Sequence, residues 1–142
     1  MLHLITHLAG QAYAIEAARI AEVLPIVELQ RPPGPEHLAT FRLRGRVVPA
    51  VDVSLLLLGR PVEARLNTRI LMIGRRAEEA VGIVCENVTQ TVHIDETSWQ
   101  PVRRPGEPAH LGPAVVLSFG AVRRLEINAL LEAALGGLAL PG

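Results

Sequence analysis

Lysine is absent from this chain of 142 residues: all fourteen basic residues are arginines, and fourteen acidic residues balance them to a formal net charge of zero. Without a net positive field, nothing in the composition draws the chain to DNA or to anionic lipid. Arginine also suits interface contacts better than lysine, because its planar fork meets carboxylates and carbonyls with two parallel hydrogen bonds. A single cysteine, Cys85, excludes an intramolecular disulfide. It lies in the apolar run Ile83-Val84-Cys85, where a buried, inert small side chain is expected rather than a nucleophile. One Trp, one Tyr and two Phe are too few for the stacking platforms that single-stranded nucleic acid requires. No long hydrophobic run exists. Leu55-Leu56-Leu57-Leu58 is far short of the roughly 20 residues that span a bilayer, and no basic segment precedes a signal-peptide core. A cytoplasmic protein without membrane insertion is expected.

Catalytic patterns are missing too. There is no glycine-rich phosphate loop and no Gly-x-Ser-x-Gly elbow. The histidines, His3, His7, His37, His93 and His110, are scattered and do not fall into a zinc-ligand spacing with cysteine. The chain therefore reads as neither an enzyme nor a cofactor or metal protein.

What is present is a series of short, alternating or β-branched segments bounded by turn residues. Leu2 to Leu8 and Ala12 to Glu16 form a hairpin across Gly10-Gln11. Ile20 to Leu29 is a bent or edge strand, broken at Pro25. Residues 30 to 37 hold four of the chain's prolines and glycines and form a surface loop, with one helical turn from Pro35. Strands resume from Thr40 to Leu43 and from Arg46 to Val51. Pro49 cannot donate to a ladder, so the second of these belongs at an edge or carries a bulge. Ser54 to Leu58 is a short helix stopped at Gly59, with Asp52 as its cap. Arg69–Ile73 and Ala80–Cys85 form a hairpin, Val88–Ile94 a strand, and Ala114–Ser118 with Val122–Ile127 another hairpin. Asn128 is placed to cap a helix from Ala129 to Leu135 that ends at Gly136-Gly137. No internal repeat is detectable. Many short strands at close spacing argue for small antiparallel barrels.

The stretch Arg42-Leu43-Arg44-Gly45-Arg46-Val47-Val48-Pro49-Ala50-Val51-Asp52 is the most informative in the chain. Arg44-Gly45 makes a tight turn between two apolar strands and displays Arg44 on a rigid sheet. Together with Gly10-Gln11-Ala12-Tyr13-Ala14-Ile15, Ile20-Ala21-Glu22-Val23-Leu24, Ala80-Val81-Gly82-Ile83-Val84, Asn87-Val88, Leu111-Gly112 and Leu125-Glu126-Ile127-Asn128-Ala129-Leu130-Leu131, it resembles the CheW family of chemosensory adaptors. The matches occur in family order across nearly the whole chain.

The resemblance implies a single CheW-like domain over residues 1–142, mainly β. Two small five-stranded antiparallel β-barrels, SH3- or OB-like, would pack side by side with an apolar groove between them. The first barrel would span residues 1–65, the second 66–127, and a C-terminal helix and tail 128–142. It further implies a non-catalytic adaptor that couples chemoreceptors (methyl-accepting chemotaxis proteins) to the regulatory domain of a CheA-type histidine kinase, with other CheW-like subunits as further partners. A scaffold that self-associates, or binds only one of these partners, is the alternative. Arg44 leads the implied partner-binding positions. Ile20, Glu22 and Val23 follow, with Ile20 and Glu22 on one strand face and Val23 on the other. Val88 and Gly112 match positions near the groove, and either is equally well read as structural. Ala39 stands where the family usually carries glycine and is expected to stiffen a loop at the receptor contact. Arg42 replaces a frequent asparagine, and the loop from Arg75 to Glu79 is about one residue longer than usual.

Overall fold

A computed structural model describes residues 1–74, 79–102 and 104–136. In chain order the elements are β1 (Leu2–Leu8), β2 (Gln11–Glu16), β3 (Ile20–Pro25), β4 (Leu38–Leu43), β5 (Arg46–Asp52), α1 (Val53–Leu58), β6 (Arg69–Ile73), β7 (Val81–Cys85), β8 (Val88–His93), β9 (Leu111–Leu117), β10 (Gly120–Leu125) and α2 (Ile127–Leu135). The Arg75–Glu79 loop and the tail from Gly137 fall at or beyond the edges of the described residues.

The strands form two five-stranded sheets, in the orders β8-β1-β2-β10-β9 and β3-β6-β7-β5-β4. The expected pair of five-stranded halves is therefore present, with two differences. Neither sheet closes into a full barrel. Each instead curls until a residue just beyond one edge strand bridges to the opposite edge: Gln30 to Thr40 in one sheet and Gln100 to Ala114 in the other. Each sheet is also mixed, because β10 runs parallel to β2 and β5 parallel to β7. The division of the chain at residue 65 needs correction. Residues 20–85 supply one sheet, while the other takes its strands from both ends of the chain, at 2–16 and 88–125. The Gly59-to-Asn67 connection lies inside one sheet and separates nothing.

Burial follows from this arrangement. In β6, Ile70 and Met72 point into their own sheet's core with Phe41 and Val84, while Leu71 and Ile73 point the other way into a shared central core. Both faces are buried, so β6 and β7 read as nearly continuous apolar runs. The central core also takes Leu8, Tyr13 and Ile15 from the first sheet and five residues of α2. Those five, Ile127, Leu130, Leu131, Ala134 and Leu135, recur at the spacing of one helix face. The first sheet keeps its own interior around Ile5, Ala14, Ile94 and Val122. Gly82 marks a close approach rather than a bulge: a Cβ there would lie 2.7 Å from the Ile70 methyl and 2.9 Å from the Phe41 ring.

Three local expectations are revised. β5 is an inner strand, and its pairing with β4 has no bulge. Thr40, opposite Pro49, spends both backbone groups on Gln30 at 2.8 Å. Thr40 and Pro49 are thus a non-hydrogen-bonded pair, and the proline nitrogen faces β7, whose ladder begins only at Ala50. At the start of α2, Glu126 rather than Asn128 is the N-cap, and Asn128 accepts instead from Arg19 Nη2 at 2.8 Å. Pro35 opens a hydrogen-bonded turn to Leu38, not a helix. Asp52 does cap α1, accepting from the Leu55 N–H at 3.1 Å, and Gly59 ends that helix in the left-handed region at φ 75°.

Candidate functional site

The exposed corner of the second sheet is built by β3 and by the β4–β5 hairpin. Leu43 pairs with Arg46, which leaves Arg44 and Gly45 as a two-residue turn. Both have positive φ, 50° and 79°, the geometry that matches strand twist in tight hairpins. Gly45 takes this conformation without strain. The Arg44 side chain projects into solvent, 68% exposed, and its Nη2 donates to Glu22 Oε2 at 2.7 Å. Because β3 and β4 are the two edges of the sheet, this ion pair spans its open seam.

β3 carries an irregularity that the alternation of its residues does not show. Ile20 pairs with Ile73 and Glu22 with Met72, so one extra residue is inserted between them. A bulge of this kind flips the facing of everything beyond it. Ile20 consequently packs on the central core, while Glu22 pairs with Met72, a residue of the sheet's own interior. The expected shared face of Ile20 and Glu22 is therefore lost. Val23, paired with Leu71, sits on the same side as Ile20 and is 47% exposed.

The remaining positions divide. Val88 is half-buried against the central core, and its N–H donates to the Asn67 carbonyl at 2.8 Å. Gly112, on the first sheet, is a packing glycine: a Cβ would strike the Glu126 carboxylate and come within 3.0 Å of the Arg124 carbonyl. Its own carbonyl accepts from Arg123 Nε at 2.9 Å. Ala39 is not in a loop. It lies within β4 opposite Ala50, 2% exposed, with no surface to offer a partner. The structure thus joins Arg44 to Glu22, sets Val23 nearby on β3, places Ile20 and Val88 on the central core, and leaves Ala39 and Gly112 elsewhere.

A second feature of this corner had a weaker trace in the sequence. Arg42 and Val47 are directly opposite each other, and both are exposed. With Val27, Glu28, Gln30 and Thr40 they line a hollow of about 410 Å³. Val27 and Val47 are 44% and 61% exposed. Arg42 and Arg46 make no ion pair among the described residues. Period-2 spacing from the turn would have placed Arg42 and Val47 on the outer face; nothing in the sequence would have brought Val27 to them.

Cys85 is fully buried, and burial pushes its thiol up to about 12. Among the described residues no group of three or more His, Cys, Asp or Glu could hold a metal ion. No helix among them is long and apolar enough to cross a membrane. Asp52, fully buried, is held by structural contacts: it accepts from Leu55 and Val62 N–H and from Arg31 Nη2 at 2.8 Å, fixing the start of α1.

Comparison with known proteins agrees with this architecture. In solved structures, the crystal structure of the scaffolding protein TtCheW from Thermoanaerobacter tengcongensis matches with a TM-score of 0.75 and 19% sequence identity, covering 89% of this chain and 84% of that one. That likeness establishes the fold. No curated protein sequence gives a significant match. The model of the CheW-like domain matches residues 3–135, a span that takes in all the strands and helices named above except the first residue of β1. The chain belongs to the CheW-like domain family.

Proposed function

We propose that this protein is a non-catalytic adaptor of a bacterial chemosensory array, coupling the cytoplasmic tip of chemoreceptors to the regulatory domain of a CheA-type histidine kinase. It works in the cytoplasm beside the membrane-bound receptors. The observation that carries this reading is the family match over residues 3–135, a family of scaffolds. The Arg44 corner supplies its physical means. An exposed ion pair such as Arg44–Glu22 is worth only about 0–1 kcal/mol, so a partner's carboxylate or helix-end carbonyls can take the guanidinium from Glu22 at little cost. Two-pronged bonding by arginine makes that exchange directional. Val23, Ile20 and Val88 serve as the apolar part of the contact surface, and Gly112 keeps the first sheet packed behind it. Binding two partners on one rigid body lets receptor state bias the kinase. Modest single contacts suffice where an array holds the parts at high effective concentration.

The test is binding of the purified protein to the regulatory domain of a histidine kinase from the same genome, with and without a receptor-tip fragment. A ternary complex is expected. Binding to only one partner would favour the competing-scaffold reading. Binding to neither, by well-folded protein, would overturn both.

A further inference from the structure

The first sheet contains a buried imidazole that the adaptor function does not use. His3, near the start of β1, is completely buried. Its Nδ1 lies 3.2 Å from the Met1 carbonyl, which can only accept, so Nδ1 carries the proton of the neutral ring. Its Nε2 is buried with no hydrogen-bond partner among the described residues, and the same holds for Trp99 Nε1. The two rings are tilted against each other with centroids 5.3 Å apart. The Arg124 guanidinium also stands over the indole, 5.1 Å from the ring centroid. Arg124 is itself held by Glu126 at 3.0 Å and Glu96 at 3.6 Å.

This stack sits where the first sheet is closed. Met1 and Ile94 exchange backbone hydrogen bonds at 2.9 and 3.0 Å, and Gln100, next to Trp99, makes the bridge to Ala114 at 2.7 and 2.8 Å. We propose that His3 is a proton-operated latch on this closure: neutral, it seats β1 beneath Trp99 and keeps the Gln100–Ala114 bridge shut; protonated, it loosens the Met1–Ile94 pairing and the Gln100–Ala114 bridge while the second sheet stays folded.

Protonation would give the ring a second N–H, at Nε2, with no acceptor among the described residues, beside an indole that already has a cation over it. The charged groups around the ring are unequal to that cost. Glu16 on β2, directly across from His3, and Glu96 beyond Trp99 favour the charged ring, as does the hydrogen bond to Met1. Arg124 on β10 opposes it, and burial opposes it most, so the imidazole is held below its ordinary value of about 6.5. A histidine that is harder to protonate when folded makes stability fall as pH falls. The full contribution is present above about 6.5 and is lost on descending from there through the lowered folded value.

Trp99 is the only tryptophan and a built-in reporter. Its emission should change in one step as pH is lowered, with a midpoint below 6.5, since a nearby imidazolium quenches indole. Over the same range, hydrogen exchange at Gln100 and Ala114, corrected for intrinsic rates, should speed up by as much as about tenfold per pH unit, the limit for one linked proton. Exchange in β6 and β7 should not change. His3→Phe should abolish both responses, and His110→Phe, which removes the other buried histidine with a lowered value, should leave them intact. Either response persisting in His3→Phe overturns the latch. Should that variant fail to fold, NMR titration of the His3 ring in the unaltered protein decides: a midpoint at or above 6.5 overturns the proposal, and one below it, coincident with the Trp99 step, supports it.

Discussion

The two sheets share one connectivity, read from different starting points. The second runs β3, a bridge at Gln30, the β4–β5 hairpin, α1 and the β6–β7 hairpin. The first runs β8, a bridge at Gln100, the β9–β10 hairpin, α2 and, across the chain ends, the β1–β2 hairpin. In spatial order β8-β1-β2-β10-β9 corresponds to β3-β6-β7-β5-β4, and the single parallel pair falls at the same place in each. One half is a circular permutation of the other. What differs is what each half carries on this frame. At the corresponding hairpin tips the second sheet shows Arg44-Gly45 and the first Ser118-Phe119. At the seams, the second has the exposed Arg44–Glu22 pair, and the first has the buried stack of His3, Trp99 and Arg124. The proposed recognition chemistry sits on one copy of the frame and the proposed proton-sensitive packing on the other. The frame itself dictates neither.

The sharpest way to break the comparison is to ask whether the halves are independent. The central core takes residues from both sheets and from α2, and Leu131 is buried within it. Leu131→Ala should cost about 2–5 kcal/mol in urea unfolding. The transition should remain single when followed by Trp99 fluorescence and by far-UV circular dichroism. Two separated transitions would show that each half keeps its own fold without the other.

The helix caps are the next contrast. Asp52 and Glu126 occupy corresponding places, each the N-cap of a helix that directly follows a strand. Asp52 is fully buried and accepts from two backbone N–H groups and Arg31, whereas the Glu126 side chain makes no cap bond. Asp52→Ala should cost about 2–3 kcal/mol, as a lost cap plus an orphaned Val62 N–H. Glu126→Ala should cost under about 1 kcal/mol, measured the same way. Equal effects would mean the two caps do the same job by different partners.

Gly82 and Ala12 are a third pair, each opening the parallel ladder of its sheet, opposite Ala50 and Val122 respectively. Gly82→Ala should cost about 1–3 kcal/mol because Phe41 and Ile70 already occupy the space. Ala12→Gly should cost about 0.5–1 kcal/mol, the ordinary penalty for added backbone freedom. Thermal melting of the two variants side by side checks the difference.

Local signals were legible in the sequence, and non-local ones were not. The strands, the hairpin at Arg44-Gly45, the Asp52 cap and the apolar face of α2 all follow from neighbours within a few residues. Sheet membership depends on pairings across most of the chain, such as β1 with β8. The apolar runs of β6 and β7 announce burial on two faces without naming the two cores. The shared connectivity of the two sheets is hidden in the sequence because it is permuted, with β1–β2 at the far end of the chain from β9–β10. At the candidate site, the exposure of Arg44 was readable from turn chemistry. The burial of Ala39 was not, because the chain re-enters β4 two residues earlier than its sequence suggests. The bulge that separates Ile20 from Glu22 has no proline or glycine to mark it.

The smallest effect on stability carries the most about function. Arg44→Glu sets two carboxylates against each other at an exposed corner and should change stability by no more than about 0.5 kcal/mol, while binding to the kinase regulatory domain should weaken at least about tenfold, a loss of about 1.4 kcal/mol. The charge swap, Arg44→Glu combined with Glu22→Arg, then separates two ways in which the pair could matter. If the pair acts by holding the β3 edge against the β4–β5 hairpin, the swap rebuilds it and binding returns. If the partner takes the guanidinium itself, the swap moves that group onto β3, away from the tip of the hairpin, and binding stays weak. The exposure of Arg44 at 68% against 38% for Glu22 favours the second outcome, because the more exposed member of an exchangeable pair is the one an incoming surface meets first.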